Sequence, residues 1–262
     1  ELLVIRDSPS LPKTMATFED KEIKRVLVII AMEAEARPLF DSMHLPKIAV
    51  NVPFAAFEVH QGEHNGIMLT VVTNGKDSRF GVCNVGTTPA ALAAFYTIHE
   101  TQPDLIINAG TAGGFKRIGA EIGDAFISTV CAHHDRRIVI PDFVPYGKGT
   151  HPSVPTKNLV QMLNFKSGVV TTGNSLDHTE MDDILMLEND ASVKDMEAAA
   201  IAYVAELANV PFFALKVVTD IVDGDRPTTE EFLENLGTAA KSLQEKIPKV
   251  IDFVAGRKIS EL

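Results

Sequence analysis

The sequence predicts an α/β fold: a single-domain three-layer α/β/α sandwich with a central mixed β-sheet. Apolar runs of strand length alternate with amphipathic runs of helix length, which is the order expected of such a sandwich. Several strand-length runs are continuous in Val, Ile and Leu, as expected where helices cover both faces of a sheet. No repeat or linker divides the 262 residues, so we expect one domain over residues 23–262.

The elements follow from these runs in chain order. The predicted strands span residues 25–31, 55–60, 67–73, 104–109, 124–130, 167–172 and 212–218. The predicted helices span residues 33–42, 88–100, 156–163, 197–208 and 229–254. The segment 141–155 is rich in proline and glycine and predicts a long loop. Residues 1–22 mix charge and proline without an apolar core, and predict a flexible N-terminal arm.

Composition limits the classes of partner. A net charge of −11 argues against nucleic acid and against an anionic membrane, because phosphate binding requires a basic surface. The longest apolar runs have the length of strands and are too short to span a bilayer. Cys83 and Cys131 are the only cysteines, which is too few for a disulfide framework and predicts a reducing, cytoplasmic location. A small-molecule ligand remains compatible with this composition.

The segment Asp195-Met196-Glu197 opens an alanine-rich run that predicts a helix. Glu197 is expected in the first helical turn, where free backbone N–H groups and the helix dipole favour an ionised carboxylate. A rigid anion at such a position suits the binding of two neighbouring hydroxyl groups. A plain helix-start acid is the alternative interpretation.

Polar or glycine-rich clusters follow four of the predicted strands, at residues 31–35, 74–77, 108–114 and 219–220. In open α/β folds, ligands bind at the carboxyl ends of the strands. The 108–114 cluster matches neither GxGxxG nor the P-loop, so it gives little support to a dinucleotide or a nucleoside triphosphate. Its glycines either allow close approach of a ligand to the backbone or simply form a tight turn.

Asp220 follows the apolar run 215–219 and should project from the end of a buried strand. Apolar surroundings raise the pKa of a carboxyl group, which suits a general acid. A structural acid that caps the next turn is the alternative.

Four ordered segments resemble the signatures of a known family. They are AMEAE at 31–35, NAGTAGG at 108–114, DMEAAAIA at 195–202 and VTDIVD at 218–223, and they are similar to those of 5′-methylthioadenosine/S-adenosylhomocysteine nucleosidases. These enzymes belong to the purine nucleoside and uridine phosphorylase superfamily. GKDS at 75–78, HDRR at 134–137 and GDRP at 224–227 look closest to the plant-type branch. The resemblance implies a nucleoside phosphorylase-like fold from about Val26 to the C-terminal helix.

The resemblance also implies an activity and the residues that perform it. The expected reaction is the hydrolysis of 5′-methylthioadenosine to adenine and 5-methylthioribose in methionine salvage, with no metal or cofactor, and S-adenosylhomocysteine is left open as a second substrate. Asp220 matches the proton donor to the purine, Glu35 the base that deprotonates water, and Glu197 the ligand of the ribose hydroxyls. The remaining substrate-binding positions are Met196 under the sugar, Met32 in the first signature, Thr111 and Lys216 at the water site, and Leu176 beside the purine.

The resemblance further implies a homodimer in which the partner chain completes the 5′-alkylthio pocket. Bacterial members have a phenylalanine near the alkylthio group, and the alignment places Thr229 there. Leu176 replaces an aromatic residue of the bacterial pattern, and Lys216 replaces an arginine and loses its planar fork.

Two other functions compete with the hydrolase. A phosphorylase typically has an arginine where this chain has Asn108, and the Glu35 carboxylate would repel phosphate by roughly 4 kcal/mol at about 4 Å and an effective dielectric of 20. Lys76 and Arg79 remain candidate phosphate ligands. A non-catalytic nucleoside-binding or storage protein should have lost an acid or base, whereas all three acids are present here. The pair His133-His134 predicts no metal site, because adjacent side chains on a strand point to opposite faces.

Overall fold

The computed structural model describes residues 18–262, and within them ten strands form one mixed sheet. The strands are β1 Arg25–Ile30, β2 Lys47–Ile48, β3 Glu58–His64, β4 Ile67–Thr73, β5 Leu105–Gly114, β6 Ala125–His133, β7 His151–Pro152, β8 Lys166–Thr172, β9 Ala191–Asp195 and β10 Phe212–Ile221. The α-helices are α1 Glu33–Ser42, α2 Thr87–Thr101, α3 Val144–Lys148, α4 Lys157–Leu163, α5 Glu180–Glu188, α6 Ala198–Leu207 and α7 Thr228–Val254.

The side chains of β1 show how the layers arise. Val26, Val28 and Ile30 belong to one core, which they share with α1, α4 and α7. Leu27 and Ile29 point to the opposite face and pack against the alanine-rich helices α2 and α6. Because alternate residues of a strand face opposite sides, one apolar strand fills both cores. The predicted sandwich with a mixed central sheet is confirmed.

Strand β5 organises the half of the sheet that carries the strand-end clusters. It pairs in parallel with β1 and with β10, and its last residues, Gly113 and Gly114, pair antiparallel with β9. Since β9 continues through β8 and β6 back to β10, these five strands close into a ring. The closure is a feature that the sequence did not predict, and it brings the ends of β1, β5, β9 and β10 together.

Several predicted elements need correction. The segment 108–114 is the second half of β5, and the segment 141–155 contains a 3-10 turn at Pro141–Phe143 followed by α3 and β7. Strand β9 and helix α5 were not predicted. Strand β9 buries the charged residues Lys194 and Asp195, and this polar content hid it from a search for apolar runs.

The structure describes only the last five residues of the predicted N-terminal arm. Residues 1–17 of the predicted arm lie outside the described residues. Residues 18–22 contact the domain: Asp20 accepts hydrogen bonds from the N–H and hydroxyl of Ser260, and the Lys21 ammonium lies 2.9 Å from Asp104. No helix within residues 18–262 is both long and apolar enough to cross a membrane.

Candidate active site

A cavity of about 260 Å³ lies where β1, β5, β9 and β10 end. This volume lies slightly below the usual range for drug-sized ligands and suits a small molecule. Seven of the eight predicted site residues line it, and the list is Met32, Glu35, Thr111, Leu176, Met196, Glu197 and Asp220. The eighth, Lys216, lies behind the wall. The structure therefore brings together residues that are up to 188 positions apart in the sequence, from Met32 to Asp220.

Glu35 is held in the first turn of α1 by backbone donors. One carboxylate oxygen accepts the Thr111 N–H at 2.9 Å, and the other accepts the Met32 N–H at 3.4 Å. Burial raises the pKa of Glu35 above its ordinary value, while the bonds from Thr111 and the charge of Lys216 oppose that rise. A fixed carboxyl group with increased proton affinity is suited to accept a proton from water.

Glu197 lies one residue earlier relative to the helix than predicted. Helix α6 begins at Ala198, and Asp195 satisfies the free backbone donors by accepting the N–H groups of Ala198 at 2.8 Å and Glu197 at 3.2 Å. The Glu197 carboxyl group is thus free to turn toward the cavity, where it accepts the Gly86 N–H at 2.9 Å.

The predicted ionisation of Glu197 is only partial at neutral pH. Burial, followed by the charge of Asp195, raises the pKa of Glu197 to about 7. The Lys216 ammonium and the Gly86 N–H oppose this rise without cancelling it. At neutral pH the group is therefore divided between its acid and its carboxylate, because the helix dipole does not offset the loss of water.

Asp195, which lines the cavity, and Lys216, which does not, form a buried ion pair. The Lys216 ammonium lies 2.7 Å from Asp195, and the other Asp195 oxygen accepts the Thr172 hydroxyl at 2.5 Å. Burial acts to raise the pKa of Asp195, but Lys216 and these hydrogen bonds outweigh it, so the pKa lies below its ordinary value. The prediction that Lys216 lines the water site is corrected: its charge is neutralised by Asp195, for which the sequence analysis gave no role. The helix-capping preference of Asp was the signal available in the sequence.

Asp220 lies at a bulge in β10. The pairing of β10 with β5 shifts register between Val218 and Asp220, and such a shift re-aims a side chain. Asp220 accepts the Thr219 hydroxyl at 2.7 Å. Burial raises the pKa of Asp220, while the Thr219 hydroxyl and the Lys194 charge oppose the rise, so the predicted direction agrees with the structure.

The glycines of β5 give the acids their space. A Cβ atom at Gly113 would lie 2.7 Å from an Asp220 oxygen, and one at Gly110 would lie 3.7 Å from both Glu35 and the Lys216 ammonium. The interpretation of the 108–114 segment as a tight turn is therefore wrong. Gly113 allows close approach of the Asp220 carboxyl group to the backbone.

Part of the cavity lining is apolar. Met32, Val85 and Phe232 contribute to it, and Phe232 lies on α7, which begins at Thr228. Thr229, which the sequence alignment placed near the alkylthio group, does not line the cavity, whereas Phe232 does. The two residues are three positions apart and lie within the first turns of one helix, so a gap in the alignment was enough to exchange them.

The candidate phosphate ligands lie elsewhere. The Lys76 ammonium pairs with Glu33 at 2.7 Å and Arg79 pairs with Asp77 at 3.5 Å, and neither residue lines the cavity. Asn108 is buried and donates its amide to the Ile29 carbonyl at 3.0 Å.

The histidine pair is buried in the sheet. Burial lowers the pKa of His133 and of His134 to about 4, so both rings are neutral at physiological pH. In the described part of the chain, no three His, Cys, Asp or Glu side chains are grouped so that they could hold a metal ion.

Comparison with known proteins finds a family and relatives that match most of the chain. The sequence profile of the phosphorylase superfamily matches residues 25–252. A 5′-methylthioadenosine/S-adenosylhomocysteine nucleosidase from Arabidopsis thaliana is 46% identical over 251 residues, which cover 95% of this chain and 98% of that protein. A 5′-methylthioadenosine nucleosidase from the same plant is 45% identical over 247 residues, covering 92% of this chain and 91% of that protein.

The solved structures agree with these matches. The apo form of the Arabidopsis thaliana 5′-methylthioadenosine nucleosidase superposes with a TM-score of 0.90 at 45% identity, covering 92% of this chain and all of that chain. The crystal structure of an MTA/SAH nucleosidase superposes with a TM-score of 0.89 at 46% identity, covering 92% of this chain and 100% of that one.

Proposed function

The chain belongs to the phosphorylase superfamily, and from this membership we propose that it hydrolyses the N-glycosidic bond of 5′-methylthioadenosine to give adenine and 5-methylthioribose. The names of the two Arabidopsis relatives support this substrate. The observation that carries the proposal is the convergence of Glu35, Glu197 and Asp220, all buried, on one cavity.

Departure of the base begins at Asp220. The bond between N9 and C1′ breaks, its electron pair goes to the adenine ring, and Asp220 donates its proton to the ring, at N7, so that neutral adenine leaves. Because burial raises the pKa of Asp220, the carboxyl group retains a proton closer to neutrality than an exposed aspartate does.

The sugar left behind carries positive charge at C1′ and its ring oxygen. Buried carboxylates at fixed positions stabilise such a cation more than water does. A water molecule held by Glu35 attacks C1′ and passes its proton to Glu35, which completes the hydrolysis. Glu197 accepts hydrogen bonds from the ribose hydroxyls, and Met196 packs against the sugar.

Electrostatics favour water over phosphate as the nucleophile. Phosphate binding uses several cationic or N–H donors. Here the Thr111 N–H is already bonded to Glu35, and the Lys216 ammonium is paired with Asp195. Among the described residues that line the cavity, Lys194 is the only cation, and its ammonium is bonded to two backbone carbonyls. A phosphate dianion would meet the Glu35 carboxyl group with no free cation beside it.

Adenine release from 5′-methylthioadenosine, measured with and without phosphate, tests the proposal. Release of adenine and free 5-methylthioribose in phosphate-free buffer is the expected result. A strict requirement for phosphate would instead identify a phosphorylase. Binding without release in either buffer would identify a non-catalytic nucleoside-binding protein.

We also propose a homodimer, in which a second copy covers the apolar part of the cavity lining. The neighbouring helices α2 and α6 bury alanines between them and expose large apolar side chains on their outer faces. Leu92 and Phe95 on α2 are 60% and 68% exposed, and Leu207 on α6 is 68% exposed. Exposed apolar faces of this kind mark interaction surfaces.

The dimer is tested by the double variant Leu92→Glu and Phe95→Glu in analytical ultracentrifugation. We expect monomers with weakened turnover of 5′-methylthioadenosine. Met162→Glu is the matched control, because Met162 is also exposed (70%) but lies on α4. A wild-type protein that sediments as a monomer would contradict the proposal.

The cellular setting that we propose is methionine salvage in the cytoplasm. The product 5-methylthioribose carries the methylthio group that a salvage pathway returns to methionine. Cys83 and Cys131 are both free thiols, which is compatible with a reducing compartment. A fluorescent fusion excluded from the cytoplasm would contradict the location.

A further inference from the structure

Lys194 is the penultimate residue of β9 and lines the cavity. Only 6% of the residue is exposed. Its ammonium donates hydrogen bonds of 2.8 Å to the Ser175 carbonyl and 2.8 Å to the Leu176 carbonyl. A buried ammonium is costly unless hydrogen bonds and opposite charges compensate for the lost water. Its environment shows both kinds of compensation.

The first compensation fixes a loop. Residues 173–179, between β8 and α5, have no regular secondary structure, so their carbonyl groups need donors from elsewhere. Lys194 supplies donors to Ser175 and Leu176. The beginning of the same loop is tied down by Asn174, whose N–H is bonded to Asp135 at 2.7 Å. Leu176, which lines the cavity, is therefore fixed through its own carbonyl and through the two residues before it.

The second compensation is the acidic surroundings. Burial lowers the pKa of Lys194, and four carboxyl groups from different segments oppose that change: Asp220, Asp177, Asp195 and Asp182. Asp195 is already paired with Lys216, and Asp182 with Arg137. Gly113 of β5 pairs with Lys194 on one side and with Asp220 on the other, so the two side chains leave the same face of the sheet and flank a residue that has no side chain. Burial raises the pKa of Asp220, the Glu231 carboxylate of α7 adds to that rise, and the Lys194 ammonium opposes it.

We propose that Lys194 is a positioning residue for the departure of adenine. Its ammonium fixes the Ser175 and Leu176 carbonyls beside the base, and from the same position it stabilises the Asp220 carboxylate that remains after the purine has been protonated. No bond to Lys194 forms or breaks, because the proton passes from Asp220 to the purine ring. The inference rests on the proposed function, since it takes Asp220 as the proton donor.

The test is a titration of the Asp220 carboxyl group in the substrate-free protein. The ¹³C signals of labelled aspartates are followed with pH, and the Asp220 signal is assigned by its loss in Asp220→Asn. Lys194→Met removes the charge and the donors, and Lys194→Gln removes the charge but keeps an N–H donor. Both should raise the titration midpoint of Asp220 by about one pH unit, since a nearby cation lowers a carboxyl pKa by about one unit or more. Lys194→Arg should leave the midpoint near the wild-type value.

Kinetics give a second readout. Asp220 acts only when protonated, so kcat/KM falls as pH rises through its pKa. Loss of the Lys194 charge should therefore move the alkaline limb of the profile to higher pH, and kcat should fall about tenfold because the weaker acid transfers its proton less readily. A residue that only stabilised the fold would leave this limb in place.

Lys166→Met is the matched control. The Lys166 ammonium also joins a backbone carbonyl, that of Gly119 at 2.7 Å, to a carboxylate, that of Asp124 at 2.6 Å, but it does not line the cavity. An unchanged Asp220 midpoint in Lys194→Met and Lys194→Gln, or an equal shift in Lys166→Met, would overturn the role of Lys194. The proposed function fails separately, if the wild-type protein releases no adenine from 5′-methylthioadenosine.

Discussion

The acidic and the apolar parts of the cavity lining are built in different ways. Each carboxyl group is fixed by buried donors of the same chain: Glu35 by Thr111, Glu197 by Gly86 and Asp220 by Thr219. Among the apolar lining residues, Val85 is 44% exposed. The difference teaches that one chain is sufficient to position the acids, whereas part of the apolar lining stays open to solvent, and this is the part that the proposed second copy covers.

This contrast has an energetic basis. A buried carboxyl group that is misplaced or unpaired costs several kcal/mol, so its position must be settled within the fold. An apolar side chain that is partly exposed costs much less and is covered when a second apolar surface meets it. Substitutions of the cavity acids should therefore affect the rate of hydrolysis. Substitutions of the apolar lining residues, such as Phe232, should affect discrimination between substrates.

The largest effect is expected at Asp220. Asp220→Asn removes the proton that the leaving adenine needs, so kcat should fall by about 10³–10⁴-fold. Binding of 5′-methylthioadenosine, measured by calorimetry, should persist because the cavity keeps its shape. Asp223→Asn is the control: Asp223 accepts the N–H groups of Lys116 and Arg117 outside the cavity, and its variant should remain active. Near-normal turnover by Asp220→Asn would remove the proton-donor role.

The next effect is expected at Glu35. Glu35→Gln keeps an oxygen for the Thr111 N–H but cannot accept a proton from water, so kcat should fall by about 10²–10³-fold with substrate binding retained. Glu33→Gln lies on the same helical turn, pairs with Lys76, and serves as the matched control for steady-state kinetics. If both variants hydrolysed the substrate equally well, Glu35 would not be the base.

Glu197→Gln should lower kcat/KM by about 10–100-fold, the value of a hydrogen bond to a charged group. Although the variant should lose activity, it should become more stable relative to wild type as the pH rises. The folded pKa of about 7 lies above the ordinary 4.5, so the contribution of Glu197 to stability is fully present below pH 4.5 and is lost as pH rises through 7.

Glutamine stays neutral, so the melting temperature of Glu197→Gln relative to wild type should rise between pH 5 and pH 8. The expected gain is about 2–4 °C for each kcal/mol of desolvation that is relieved. Differential scanning calorimetry measures it, with Glu245→Gln, an exposed residue of α7, as the control. A difference in melting temperature that does not depend on pH would contradict the raised pKa.

The smallest effect on the chemistry is expected at Phe232, in the apolar part of the cavity lining. Phe232→Ala removes one large contact, so kcat/KM for 5′-methylthioadenosine should fall by about 10–100-fold, corresponding to about 1.5–3 kcal/mol of lost burial. Adenosine, which lacks the methylthio group, should be affected less. Leu233→Ala, next in α7 and 66% exposed, is the matched control. Equal losses for both substrates would show that Phe232 does not contact the 5′ substituent.

Features that depend on local sequence patterns were predicted, and features that depend on long-range contacts were not. Glu35 and Asp220 follow apolar strands directly, so the rule that strand ends carry ligands was enough to find them. Helix α1 and strand β4 have the predicted bounds because their apolar patterns are regular.

The errors arise where long-range contacts decide. Lys216 was expected at the cavity surface, but its partner Asp195 comes from β9, a strand whose charged residues concealed it. Burial raises the pKa of Glu197, and the same buried pair modifies it further, because the charge of Asp195 adds to the rise and that of Lys216 opposes it. Such effects depend on distances across the sheet, which residue order does not supply. Phe232 was missed for a simpler reason, a gap in an alignment.

Strand β5 has a consequence for biosynthesis. It must find β9 and β10, whose residues leave the ribosome about 80–110 positions later. Until then the edges of β5 that those strands will cover have no partner, and half-made edges of this kind are prone to aggregate. A truncated product that stopped before Phe212 would have no proton donor, and the edge of β5 that β10 covers would be unpaired. Premature termination should therefore yield insoluble fragments for degradation in place of a weakened catalyst.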